Sequence, residues 1–404
     1  MKFSRADRSR IAEWWFTVDH VLLSAILIIM ATGLVLSLAA SPAVALKKGF
    51  PAYYFVERHV IFSGLGIVLM LAISLLTPLA VRRLSLALLA ASLAGLIAVQ
   101  LTGEELNGAR RWLSIQGHSI QPSEFAKPAF AVVCAWLFSE ARTRPEMPAL
   151  PLAIGLYAVF AALLLLQPDV GQTLLLSAVW ATMFFASGQP LLGAGLFAAL
   201  AAAGLYGAYT TFPHVAFRID RFFNPPAGDF SSQGERAIRS FAEGGFLGRG
   251  PGEGTIKTAL PDAHTDYIFA VVAEEYGAVA CLALLALFAF VVLRALFQAQ
   301  REPEPSIRLA IVGLAMLFGL QALINMGVNV GLLPAKGMTL PFISAGGSST
   351  LAVSVTLGMA LALTRRRPDL ERLKKPRLMT SVSGPGSGLG SGQGPGLGPM
   401  DDKT

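Results

Sequence analysis

The chain is predicted to be an all-α, polytopic membrane protein of about ten transmembrane helices, and three observations carry that prediction. Of its 404 residues 54% are hydrophobic and 14% charged, with a mean hydropathy of +0.60, whereas a soluble chain of ordinary composition carries about 25% charge. Apolar runs of the roughly 20 residues that cross a bilayer recur along most of its length. Lys and Arg gather in alternate short connections, as in a chain that returns repeatedly to a basic cytoplasmic side. The net charge of +7 therefore belongs to membrane edges and implies no nucleic-acid partner. Cys134 and Cys281 fall inside apolar runs, which implies no disulfide framework.

Residues 1–16 form a basic cytoplasmic arm (Lys2, Arg5, Arg8, Arg10). The apolar run after it is too long for a signal-peptide core and reads as an uncleaved first span, about 17–40. The second span covers about 59–77 and turns at Arg82 and Arg83 into the third, about 84–101. A polar outer loop containing Asn107–Leu113 leads to the fourth, which opens at Gln121-Pro122-Ser123-Glu124 and stops before Arg142. Spans at about 150–166 and 171–187 meet at Gln167–Gln172, and a seventh runs over about 190–211. A large extracytoplasmic loop, 212–265, separates the seventh span from the eighth, about 266–294. The ninth (about 307–332) and tenth (about 348–364) flank residues 334–349, which are rich in Pro, Gly and Ser yet apolar. Irregular backbone at membrane depth must be buried in protein or line a cavity, so this stretch is expected to be a re-entrant hairpin. The membrane domain spans 17–366. The tail, 367–404, is basic and then Gly-, Ser- and Pro-rich, a composition that cannot offset its ordering entropy and is expected to be disordered in the cytoplasm.

Ionisable residues inside such a chain are candidates for function. Asp262, His264 and Asp266 alternate on the approach to the eighth helix. An aspartate there also serves as a helix N-cap, and the alternative is a general base or a divalent-metal ligand. Glu274, eight residues on, is expected on the stripe of Asp266, lining a polar cavity, with Glu275 pointing away. Glu124 and Lys127, three apart, share a helix face and form either a structural pair or part of a site. Arg110 and Arg111 beside Trp112 are expected at the outer interface, as headgroup contacts or as a guanidinium fork on a diphosphate. Asp169 is a turn cap or a cavity acid, and Lys336 is the one cation of the hairpin, which also contains Ser344. The glycines of 248–254 match neither phosphate-binding pattern, no Gly-x-Ser-x-Gly elbow exists, and Asp-x-His-x-Asp is poor in zinc ligands.

The stretches Asn107–Leu113, Gln121–Lys127, Gln167–Gln172, Phe217–Pro225, Leu260–Gly277 and Leu332–Ser349 resemble, in order, those of the SEDS (shape, elongation, division and sporulation) proteins. The run Leu333–Pro341 is more similar to the cell-division branch than to the elongation branch. Asp262 stands where the family usually has Glu, Ala345 where it has Tyr, and the pattern around Gln233-Gly234 and Arg239-Ser240 is altered.

The resemblance implies a peptidoglycan glycosyltransferase that polymerises lipid II on the outer face of the cytoplasmic (inner) membrane at the division septum, both termini cytoplasmic. It places the essential acid on Asp266, the motif aromatic on Trp112, the paired acid and base on Glu124 and Lys127, and the hairpin lysine on Lys336. Arg110, Arg111, Trp112, Glu124, Lys127, Asp169, His264, Glu274, Lys336 and Ser344 are the candidate substrate-binding residues. A divalent cation, Mg²⁺ or Mn²⁺, is a candidate cofactor bridging Asp266 and a diphosphate. A class B penicillin-binding protein and other division proteins are the implied partners, with lipid II and undecaprenyl diphosphate as ligands. A lipid II flippase and a division scaffold are the competing expectations.

Overall fold

The ends of the apolar runs carry the capping chemistry that starts and stops helices. In the computed structural model, which describes residues 9–106, 109–115, 118–189, 191–211, 213–224, 233–260, 262–334 and 337–366, these runs become a helical bundle. The helices that the apolar runs form are α2 (His20–Lys47), α3 (Tyr54–Ser74), α4 (Pro78–Thr102), α5 (Pro122–Thr143), α6 (Ala149–Leu166), α7 (Val170–Ala186), α8 (Leu191–Thr211), α11 (Ile268–Arg301), α12 (Pro305–Asn329) and α13 (Gly347–Leu363). Among the described residues α2, α3, α4, α6, α11 and α12 are each long and apolar enough to cross a membrane. Asp19 caps α2 through the N–H groups of Val21 and Leu22, and Thr77 caps α4 ahead of Pro78.

Burial is uneven in an informative way. α5, α12 and α13 are buried on nearly all sides, while α3, α4 and α6 expose Val68, Leu101 and Leu166. An outward apolar belt of this kind suits a hydrocarbon surround, since lipid asks nothing polar of it.

The N-terminal arm holds a short helix, α1 (Arg10–Thr17), capped by Ser9. Thr17 and Glu13 take Arg365 at 2.9 and 3.3 Å, and Arg294 reaches Asp19 at 2.8 Å. The C-terminal half of α1 and the start of α2 thus join the C-terminal parts of α13 and α11 at one end of the bundle.

Three features depart from the sequence reading. The loop before α5 is a small antiparallel sheet, β1 (Glu104–Leu106), β2 (Ala109–Ile115) and β3 (His118–Ile120), in the order β1-β2-β3. The large outer loop contains α9 (Pro213–Phe223), α10 (Gln233–Gly244) and a 3-10 turn at Ile256–Ala259.

α11 is the third departure, for it begins at Ile268 and breaks at Gly277 (φ 77°, ψ −179°). At that elbow the helix cannot close Ala278 onto Glu274 or Val279 onto Glu275. Loop residues take all four groups instead: Ala278 and Val279 donate to the carbonyls of Gly245 and Phe246, and Arg249 and Gly250 donate to those of Glu274 and Glu275, at 2.9–3.2 Å. A side chain at Gly277 would run into Phe246 O and Gly248 N.

Between α12 and α13, where a hairpin is expected, irregular backbone is enclosed by protein. Residues 338 and 340–344 are buried yet non-helical, and Phe342 has φ 62°. Its carbonyl lies against Gly33 of α2, where any Cβ would collide with it, and meets His59 Nε2 at 3.1 Å.

Candidate active site

At the end of the bundle away from the Asp19–Arg294 pair, a cavity of about 820 Å³ opens between α3, α12, β2, the hairpin and the segment before α11. Asp266 lies on its wall, with Asp262, His264 and Thr265 beside it. This segment is pinned by backbone. The Asp266 carbonyl accepts from Asn325 Nδ2 and Asn329 Nδ2, both at 2.9 Å, and the Thr265 carbonyl accepts from Ser344 Oγ at 2.5 Å. Ser344 Oγ also accepts the Leu340 N–H at 2.8 Å, so it joins hairpin to acid segment rather than lining the cavity. Asp266 is not the N-cap residue of α11, because the helix starts two residues later and Tyr267 holds that position.

His264 is buried against Phe55, ring centroids 4.3 Å apart. Burial, with the charge of Lys48 added, pushes its imidazole down to about 4. It is therefore a neutral group at ordinary pH.

The opposite wall holds Glu124 and Gln172. Lys127 Nζ donates to Glu124 Oε1 at 2.9 Å and to Gln172 Oε1 at 2.7 Å, and Gln172 Nε2 donates to Glu124 at 2.8 Å. Lys127 is 2% exposed and stands behind the wall rather than on it. Charges so buried persist only when paired and hydrogen-bonded, which this triad achieves.

Arg110 and Arg111 do not form one fork, because the strand register shifts between them, with Glu105 opposite Arg110 and Glu104 opposite Trp112. Arg111 and Trp112 reach the cavity, while Arg110 is exposed and is not part of its lining. Arg111 is also tied to the turn before α7, donating to the carbonyls of Gln167 (3.3 Å) and Pro168 (2.8 Å) and lying 3.6 Å from Asp169. Asp169 caps α7 through the Gln172 N–H and does not line the cavity, so of its two expected roles it takes the turn cap.

Glu274 corrects the expectation of a shared stripe with Asp266. Asp266 precedes the helix, so helical spacing does not apply to it, and Glu274 turns to the outer loop. It accepts the N–H groups of Thr255, Ile256 and Lys257 at 2.6, 2.7 and 3.1 Å. Glu275 does not point away either: it accepts the Gly252 N–H at 3.0 Å and pairs with Lys257 Nζ. Lys336 lies outside the described residues.

Several wall residues were not anticipated. Lys48, Arg58 and His59 add basic and imidazole groups from the α2–α3 connection and α3. Asn325 of α12 also lines the cavity; with Gln321 and Asn329, which do not, it repeats every four residues, and that spacing of amides in an apolar helix is the signal the sequence offers. Among the described residues no three His, Cys, Asp or Glu side chains gather as a metal cluster. The cavity carboxylates suit a hard cation only if a ligand supplies further oxygens.

The profile of the FtsW/RodA/SpoVE family, described as cell cycle protein, matches residues 19–368. The chain belongs to this family. A probable peptidoglycan glycosyltransferase FtsW of Caulobacter vibrioides is 44% identical over 91% of this chain and 94% of its own length. The protein of the same description from Trichlorobacter lovleyi is 35% identical over 88% and 94%. Among solved structures, a chain of a peptidoglycan synthase complex that coordinates polymerization and crosslinking is 29% identical with a TM-score of 0.72, covering 86% of this chain and 97% of that one. The Thermus thermophilus rod shape determining protein RodA is 28% identical with a TM-score of 0.62, covering 87% and 97%. The family match includes every cavity-lining residue described above.

Proposed function

We propose that this family member is a peptidoglycan glycosyltransferase of cell division, polymerising lipid II in the cavity that Asp266 lines. The carrying observation is the convergence of one backbone-pinned carboxylate, a set of cations (Lys48, Arg58, Arg111) and the buried Glu124–Lys127–Gln172 triad on a single cavity. Glycosyl transfer between two lipid-linked diphosphates needs a base for the acceptor hydroxyl and cations for the leaving group.

Asp266 accepts the proton of the acceptor 4-hydroxyl as that oxygen bonds to the donor's anomeric carbon with inversion. The bond from that carbon to the diphosphate breaks, and undecaprenyl diphosphate leaves with its charge met by Arg111, Lys48 and Arg58. His264, neutral at working pH, hydrogen-bonds without adding charge. A Mg²⁺ or Mn²⁺ ion, if one is used, would be held by Asp266 and diphosphate oxygens and would neutralise charge there. The cavity end faces the periplasm, the Asp19–Arg294 end and both termini face the cytoplasm, and a class B penicillin-binding protein cross-links the strands.

The test is polymerisation of purified lipid II by detergent-solubilised protein, alone and with its cognate transpeptidase. Asp266→Asn is expected to lower the rate by about a hundred-fold or more. Full activity of well-folded Asp266→Asn would sink the base assignment. Lipid II crossing liposomes with no strands formed would instead support a flippase.

A further inference from the structure

We propose that Asn329, assisted by Asn325, is a positioning residue that sets Asp266 by capping α11 from a different helix. The inference deepens the proposed function, since it takes Asp266 as the reacting acid.

The first N–H groups of any helix lack intrahelical acceptors and need another partner. The side chain of the N-cap residue of α11, Tyr267, makes no capping hydrogen bond. Asn329, at the end of α12, fills that role from across the bundle: its Oδ1 accepts the Ala270 N–H at 3.0 Å, a donor shared with the Tyr267 carbonyl at 3.1 Å. The same amide turns its Nδ2 to the Asp266 carbonyl at 2.9 Å. One turn earlier Asn325 donates to that carbonyl at 2.9 Å and to the Met338 carbonyl at 2.6 Å. Both lone pairs of the Asp266 carbonyl are thereby used.

Asn325 and Asn329 are 1% and 0% exposed, so these bonds form away from competing water. The main chain of Asp266 is fixed to α12, and through Met338 to the hairpin. An aspartate just before a helix ordinarily turns back to take first-turn N–H groups. Here α12 supplies an acceptor for that turn, and Asp266 lies on the cavity wall.

The experiment places Asn329→Leu and Asn329→Asp beside wild type and Asp266→Ala in the lipid II assay. Asp keeps an acceptor for Ala270 but has no donor for the Asp266 carbonyl. In each Asn329 variant kcat is expected to fall about ten-fold or more with KM held within about two-fold, the mark of misplaced chemistry rather than lost binding.

A second arm reads position without turnover, using Asp266→Cys in a Cys134→Ala, Cys281→Ala background and a methanethiosulfonate reagent. Adding Asn329→Leu is expected to change the labelling rate several-fold in protein that remains monodisperse. Unchanged kcat and labelling, or activity lost only in proportion to unfolded protein, would overturn the inference. Full activity of Asp266→Ala would overturn the site reading beneath it, while the labelling arm still reports whether Asn329 sets residue 266.

Discussion

Glu124 and Lys127 show what a buried charge demands. Each is nearly sealed from solvent, and the two share Gln172 as a neutral third partner. Removing one charge strands the other, which in buried pairs costs about 3–5 kcal/mol. Glu124→Ala is therefore expected to lower the thermal midpoint in detergent well below that of Glu124→Gln, which keeps an acceptor for Lys127. Equal midpoints would show that the pair is not energetically coupled. His264 makes a second prediction. Its value of about 4 lies below the ordinary 6.5, so between those limits the unfolded chain binds a proton that the folded chain refuses. The stability it contributes is whole above about pH 6.5 and is lost as pH falls toward 4. Wild type should lose thermal midpoint between pH 7 and 4.5 more steeply than His264→Asn. Asp266 was legible because an acid stands out in an apolar chain, whereas nothing local distinguishes Lys48 and Arg58 from membrane-edge cations. Asn325 and Asn329 carry no charge, and nothing local reveals that their amides reach residues 266 and 270.

The elements were read well where hydrophobicity alone decides, and less well where backbone hydrogen bonds cross between segments. β1, β2 and β3 are separated in sequence by Asn107-Gly108 and Gln116-Gly117, two-residue signals for tight hairpins. β1 and β3 are three residues each, too short for an alternating pattern to show in the sequence. The elbow in α11 was also invisible. A single glycine in an apolar helix is tolerable, and only the four exchanged backbone bonds show that the chain needs one. At Gly277 the backbone occupies a region open essentially to glycine, where another residue costs about 1–3 kcal/mol before any clash. Gly277→Ala is thus expected to release the loop 245–257 from α11. Limited proteolysis would detect it as new cleavage within 245–257, and wild-type resistance there would contradict the spliced-elbow account.

At the scale of the whole molecule, the two ends of the bundle differ in chemistry. One end gathers Arg294, Arg365, Asp19 and Glu13 in ion pairs, and the other presents the cavity and the outer loop. Cysteines introduced at exposed Phe246 and Glu304 are expected to differ toward a membrane-impermeant maleimide, Phe246→Cys reacting in intact spheroplasts and Glu304→Cys only after the membrane is permeabilised. Labelling of both from one side would refute the orientation. The helical membrane fold was legible because apolar length is a property of short windows. The cavity was not, because its walls come from residues as distant as Lys48 and Thr350.

The deep burial of α13 has a consequence for biogenesis. Insertion proceeds from the N-terminus, yet the helix packed against α3, α4, α5 and α12 at the centre is the last to leave the ribosome. At about 5–20 residues per second, α3 waits roughly 15–60 seconds in the bilayer for that neighbour. Until then the groove it will fill is open to lipid, and any product truncated before Gly347 lacks the part of the cavity wall that Gly347–Thr350 supply. Quality control of this enzyme need only sense whether that groove is still vacant.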